Sequence, residues 1–253
     1  MGNIKWDSIE YQNNYNYVSE YGKELIPLIE SKNTKLLDLG CGNGILTHEL
    51  INLGYDVCGV DQSKEMLDLF KKNNPGVKYL NTNLLFLRVE ELYDVIFSNS
   101  CFEWILKEHQ HQVAIRMNKA LRLGGEVIIE FGGYKCCDLI HSTLKKIFNR
   151  HGYDYLNEFY YPTIREHSNV LEDHGFLITY AKLFDRLTEI DLDLRCWLDM
   201  FLKKAFEGIT IEDKNEMIYE LEEKLRDELF YDDKWHIDYT RIRMRAIKIA
   251  EDK

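Results

Sequence analysis

Apolar positions along the chain alternate between two spacings, and the switch between them marks its elements. Lys35–Leu39 is a short apolar run containing one acid, Asp38, and reads as a strand. Leu46, Leu50 and Ile51 then follow helical spacing. The alternation repeats: residues 56–60, 77–80, 93–98 and 126–131 read as strands. Between them, Met66, Leu67 and Phe70 form one helical face, and residues 105–121 form another through Val113, Ile115 and Met117. Ser63 stands as an N-cap before the first of these faces, and Gly124-Gly125 as the C-cap after the second. Five strands alternating with helices, with no internal repeat, predict an α/β fold with a doubly wound, mostly parallel sheet. Upstream, Tyr17, Val18, Tyr21, Leu25, Leu28 and Ile29 predict a helix over 15–30, with Pro27 able to end or kink it.

The second half is less regular. Helices are predicted over 139–150, from a Thr163 cap to 174, over 192–207 and over 211–230. Residues 176–183 read as a strand after Gly175. Residues 240–245 alternate strictly, apolar against arginine, and are placed as the antiparallel partner of 176–183. That completes a seven-stranded sheet with a C-terminal antiparallel strand pair and a helical cap. No Ser/Gly linker interrupts residues 1–253, so one compact unit is expected.

Chemistry enters at Gly40-Cys41-Gly42-Asn43-Gly44, between the first strand and its helix. Glycine lets backbone turn sharply and approach a ligand closely. A second strand ends at Asp61, near the offset at which an acid binds ribose hydroxyls. The loop is not the G-x-G-x-x-G of a dinucleotide site, and Asp38 two residues before it repels phosphate and suits a cationic ligand. This D-L-G-C-G-N-G stretch resembles the first motif of class I S-adenosylmethionine-dependent methyltransferases. The resemblance implies S-adenosylmethionine as cofactor and S-adenosylhomocysteine as its product. It implies that Asp38, Gly40, Cys41, Gly42 and Gly44 lie along the amino-acid end, and that Asp61 holds the ribose. It further implies that Gln62, Met66, Asn83, Leu84 and Asn99 contribute to the same site, Asn83 through its side-chain oxygen at a position often occupied by an acid. Tyr11 belongs to this set on the N-terminal side. The chain then divides into a helical flap (1–30), a cofactor-binding core (31–135), and cap insertions with the last two strands (136–253).

Further stretches are similar to a narrower group, the trans-aconitate 2-methyltransferase-like enzymes. They are Trp6-Asp7 with Tyr11, Phe97-Ser98-Asn99-Ser100 with Trp104, residues 130–133, residues 184–188, and Trp235 with residues 238–243. Methyl transfer from a sulfonium is an in-line displacement that depends on positioning and water exclusion. The expected acceptor is a small molecule, methylated at a carboxylate oxygen. Such an acceptor is ionised already and needs a cation to hold it, for which arginine has the bidentate geometry. Arg186, Arg195, Arg241 and Arg243 are the candidates, with Tyr17 and Tyr239 beside them. Glu103 and Trp104 follow the fourth strand at the carboxyl edge, where ligands bind. Glu103 repels an acidic substrate, serves as a base for a neutral or amine acceptor, pairs with an arginine, or points away. Trp104 is either pocket wall or core.

Composition narrows partners and compartment. A net charge of −11 disfavours nonspecific nucleic-acid or anionic-membrane binding. No apolar run approaches a membrane span. Residues 1–30 carry Asp7, Glu10, Glu20 and Glu24 in place of a basic start and apolar core, so a cytoplasmic protein is expected; the acidic surface and the expected cap favour a monomer. The six cysteines form no C-x-x-C pair. No cysteine or carboxylate stands at zinc-site spacing around His109 and His111, so no metal is expected. Competing readings are a methyltransferase fold that binds cofactor without turnover and a nicotinamide dehydrogenase; the missing G-x-G-x-x-G counts against the second.

Overall fold

Alternate residues of each strand in the computed structural model leave the sheet on opposite sides, and two apolar layers result. Residues 8, 10, 14–32, 34–89 and 92–252 are described. Strands β1 (Lys35–Leu39), β2 (Asp56–Asp61), β3 (Lys78–Asn81), β4 (Tyr93–Asn99) and β5 (Leu121–Gly132) are joined in parallel in the order β3-β2-β1-β4-β5. Leu37, Leu39, Ile96, Val127 and Ile129 pack on one side, with Val113 and Met117 of the helix Gln110–Ala120. Leu36, Val57, Val95, Phe97 and Ile128 pack on the other, with Leu25, Ile29 and Leu50. This period-two division is the strand signature read from the sequence. Beyond β5 come β8 (Lys234–Lys248) and then β6 (Phe176–Ile190) at the edge; the two-residue β7 (Phe230–Tyr231) pairs only with β8. Strand β8 runs antiparallel to β5, since Arg243 pairs with Glu130 and Arg245 with Glu126.

The helices are α1 (Asn16–Gly22), α2 (Ile45–Asn52), α3 (Lys64–Asn73), α4 (Gln110–Ala120), α5 (Asp138–Arg150), α6 (Ile164–Glu172), α7 (Leu194–Phe201) and α8 (Ile211–Leu229). Ser63 caps α3 by accepting from the Met66 amide, and Thr163 caps α6 in a full capping box with Glu166.

Several boundaries differ from expectation. The N-terminal helix stops at Gly22 and continues as a 3₁₀ turn, Lys23–Leu28, that contains Pro27. The predicted helix over 105–121 starts late: a 3₁₀ turn, Lys107–His109, precedes α4, and another, Phe102–Trp104, lies just upstream. Gln110 secures that break: its side-chain amide donates to the Phe102 and Ile105 carbonyls. Helix α4 ends at Ala120 rather than at a glycine cap. Residues 121–125 are an irregular start to β5: pairing moves from Tyr93–Leu121 to Val95–Glu126, with Gly124 at φ +81° in between. Strands β6 and β8 are also longer than the alternating runs that signalled them.

Internal contacts gather into two units rather than one. The first comprises residues 1–134, 159–183 and 242–253, and holds the parallel strands with α1–α4 and α6. The second comprises residues 135–158 and 184–241, and holds α5, α7, α8 and β7. Within the second unit the β7–β8 hairpin turns on Asp232-Asp233, both at positive φ, the backbone of a type I′ turn.

Candidate functional site

The carboxyl ends of β1, β2 and β4 converge on the glycine loop, and each of its three glycines answers a different demand. Gly40 (φ +72°) faces Cys101: a Cβ there would lie 2.5 Å from Cys101 Sγ. Gly44 (φ +79°) opens α2 against α3, and its Cβ would lie 2.3 Å from Asn74 Nδ2 and 2.6 Å from Phe70. Gly42 (φ +54°) differs from both, because a Cβ there would meet nothing within 4 Å. Packing thus explains the first and third glycines, whereas the second leaves open space above a backbone that curls around it.

Asp61 fixes this curl. The Gly40 and Cys41 amides donate to the Val60 carbonyl, and the Gly42 amide donates to Asp61 Oδ2 at 3.0 Å. Asp61 Oδ1 accepts from the Ser63 amide at 2.8 Å. Burial raises its pKa, and these backbone donors oppose the rise. A carboxylate accepts about four hydrogen bonds, so ligand hydroxyls can share it. Next to it, Asn83 donates to Gln62 Oε1 at 2.9 Å. The Asn83 side-chain oxygen accepts from the Leu85 amide and caps the turn Leu84–Phe86. Leu84 of this turn and Met66 of α3 are both buried.

Asp38 lies deeper, 3% exposed, and accepts from Thr47 Oγ1 of α2 at 2.5 Å. Burial pushes its pKa up to about 7, with Asp61 adding to the rise. A buried acid in this condition favours a cation beside it, because a positive charge restores its ionised form. An open cradle at Gly42, a ring-hydroxyl acceptor at Asp61 and a cation-seeking acid at Asp38 fit the cofactor implied by the loop.

The end of β4 closes the site on another side. Ser98 Oγ donates to the Leu39 carbonyl at 2.6 Å, and Asn99 Nδ2 donates to the Val18 carbonyl of α1 at 3.0 Å. Asn99 thereby anchors the N-terminal helix. Tyr17 of that helix packs edge-on with Tyr15 and Tyr21. Tyr11, like Trp6 and Asp7, lies outside the described residues.

Glu103 is buried at 6% exposure, and its Oε1 accepts from the Gly132 amide at the end of β5, at 3.3 Å. Its own carbonyl accepts from the Tyr160 amide. The side chain and backbone of Glu103 thus both brace the turn Phe102–Trp104. Trp104 is half-buried and meets Phe159 edge-on, with ring centroids 4.8 Å apart. His167, which had no place in the sequence reading, sits among Phe102, Phe131 and Tyr160, and burial holds its pKa down to about 3. Only its single position on an amphipathic helix signalled it, which is the ordinary mark of core packing.

The arginines separate. Arg243 pairs with Glu130 Oε2 at 2.6 Å and with Glu24 Oε2 at 2.8 Å. Arg186, Arg195, Tyr239 and Arg241 belong to the second unit. There Arg186 lies over the Phe184 ring, Arg195 donates to Asn215 Oδ1, and the Tyr239 hydroxyl accepts from Trp197 Nε1. Arg241 is buried at 7% exposure.

Residues 37–129 match a family described as a methyltransferase domain. An uncharacterised methyltransferase of Schizosaccharomyces pombe is 27% identical, over 96% of this chain and 98% of that protein. A malonyl-[acyl-carrier protein] O-methyltransferase of Bacillus cereus is 27% identical over 46% of this chain and 44% of that protein. Among solved structures, phosphoethanolamine N-methyltransferase 2 of Haemonchus contortus, in complex with phosphomonomethylethanolamine and S-adenosylhomocysteine, superposes with a TM-score of 0.55. It is 17% identical and covers 91% of this chain and 53% of that one.

Proposed function

We propose that this chain, a class I S-adenosylmethionine-dependent methyltransferase by its similarities, methylates a carboxylate oxygen of a small organic acid. When bound, S-adenosylmethionine supplies a methyl carbon on a positively charged sulfur. Asp61 would hold the ribose hydroxyls, Asp38 and the Gly40–Gly44 loop the amino-acid end, and Gln62, Asn83, Leu84 and Met66 the adenine. The family resemblance of the stretch from Ser98 to Trp104, and the O-methyltransferase among the relatives, support an oxygen acceptor.

The observation that carries the reading is the bracing of Glu103. A carboxylate that is buried and accepts from the Gly132 amide is employed in holding a turn. An acceptor with a pKa near 4 asks for no base, because its oxygen is already ionised at neutral pH. What it asks for is orientation, exclusion of water and a guanidinium. We assign one wall of the acceptor site to Trp104. The guanidinium is assigned to Arg243, which belongs to the same unit and whose exposed partner Glu24 a substrate carboxylate can replace. The acidic composition and six cysteine thiols support a cytoplasmic monomer. No helix among the described residues is long and apolar enough to cross a membrane.

The test is turnover of S-adenosylmethionine against a panel of di- and tricarboxylic acids, with the methyl ester identified by mass. On the acid that reacts, Glu103→Gln should keep kcat within a few-fold and leave the pH profile in place. A loss of roughly 100-fold or more, with the profile shifted, is what a general base gives. That result, or methylation of an amine with no ester from any acid, would replace this reading by one with Glu103 as base.

A further inference from the structure

The second unit places a histidine and two carboxylates at one point. Helix α5 ends in a Schellman turn: the Gly152 amide donates to the Asn149 carbonyl and the Tyr153 amide to the Phe148 carbonyl, with Gly152 at φ +78°. This turn fixes His151 and Tyr153 on either side of the glycine. Opposite them, Asp213, Glu216 and Glu220 occupy positions i, i+3 and i+7 of α8, which is one face of that helix.

The contacts are specific. Ligand atoms of His151, Asp213 and Glu216 lie within 4.8 Å of one another. Tyr153 donates its hydroxyl to Asp213 Oδ2 at 2.5 Å, and His151 Nε2 lies 3.4 Å from Glu220 Oε2. The cations nearby have other partners: Arg150 pairs with Glu220, and Lys214 with Asp199 Oδ1. His151 and Asp213 are partly buried, whereas Glu216 is exposed and able to swing inward. A tetrahedral or octahedral ion with bonds of about 2.1 Å separates its ligand atoms by roughly 3 to 4 Å, within reach of one rotamer change. One imidazole with carboxylates is the donor set of a borderline divalent ion such as Zn²⁺ rather than of an all-oxygen Mg²⁺ or Ca²⁺ site.

We propose that His151, Asp213 and Glu216 bind a divalent transition ion that joins the end of α5 to the first turns of α8. Tyr153 orients Asp213 from the side, as outer partners of metal ligands do. The ion is structural: nothing in the methyl-transfer reading depends on it. The sequence concealed it because α5 and α8 bring together residues far apart in the chain, with no local ligand spacing.

The test uses the full chain, stripped with a chelator and titrated with Zn²⁺ by calorimetry, with thermal unfolding followed in parallel. One equivalent should bind and raise the unfolding temperature. His151→Ala and Glu216→Gln should each weaken binding by roughly tenfold or more. Glu216 is exposed, so its variant folds whatever becomes of the His151 variant. His111→Ala controls for the imidazole pair His111–His174, whose nitrogens are 3.1 Å apart, and should leave the isotherm unchanged. The proposal fails if Zn²⁺ shows no saturable binding, if Glu216→Gln binds as tightly as the wild type, or if affinity falls in His111→Ala.

Discussion

Replacing Asp38 by asparagine separates charge from shape at the centre of the site. The amide oxygen can still accept from Thr47 Oγ1, so the bridge between β1 and α2 persists. What disappears is an ionisation held at about 7 in the folded protein, against 3.8 for an unburied aspartate. Three pKa units at 1.36 kcal/mol each make the cost about 4 kcal/mol when the group is fully ionised, as an upper bound. The sign follows from proton binding. Below pH 4 both folded and unfolded chains carry the proton, and Asp38 contributes no difference. As pH rises towards 7 the unfolded chain ionises first, so the folded protein loses stability. The Asp38→Asn variant has no such dependence. Urea unfolding without cofactor should therefore show the variant gaining about 2 to 3 kcal/mol on the wild type between pH 5 and pH 8. Calorimetry with S-adenosylmethionine should show the converse: wild-type affinity climbs through pH 7 as the acid ionises beside a cation, while the variant binds weakly with a shallower dependence. Parallel pH curves for the two proteins, in stability and in binding, would refute the account of Asp38 as a buried acid waiting for positive charge.

Two other substitutions test the loop. Asp61→Ala should weaken S-adenosylhomocysteine binding at least roughly tenfold, equivalent to about 1.4 kcal/mol of charge-assisted hydrogen bonding; unchanged affinity in calorimetry would remove Asp61 from the ribose. Gly44→Ala should destabilise the fold by about 2 to 3 kcal/mol through collision with Asn74 and Phe70. Gly42→Ala, with an open surround, should cost only about 1 to 2 kcal/mol for its backbone conformation but should suppress cofactor binding. Equal urea midpoints for the two alanine variants would show that the loop glycines do not divide in this way.

Much of the first unit was legible in the sequence because its signals are local. The apolar run before Gly40, the acid ending β2, the Ser63 cap and the Thr163 cap each specify structure within a few residues, and each appears where its pattern stood. Features set by distant partners were not legible. The helix expected over 105–121 breaks because the Gln110 side chain satisfies the Ile105 carbonyl that a continuing helix would have used. The arginine alternation on β8 reads equally as an anion site or as cross-strand pairing. Only the position of β5 decides that Arg243 meets Glu130 and Arg245 meets Glu126. Glu103 was read four ways because no sequence window contains Gly132, its hydrogen-bond donor.

The contact between Gly40 and Cys101 has a consequence for how such a chain changes over time. The Cys101 side chain occupies the volume that a Cβ at position 40 would need, so position 40 is not free to vary alone. No residue other than glycine fits at 40 while the cysteine remains and the loop keeps its path. Glycine should be kept at 40 for as long as residue 101 carries a side chain along this path. The first turn after β1 and the first residues after β4 thus form a single unit of inheritance.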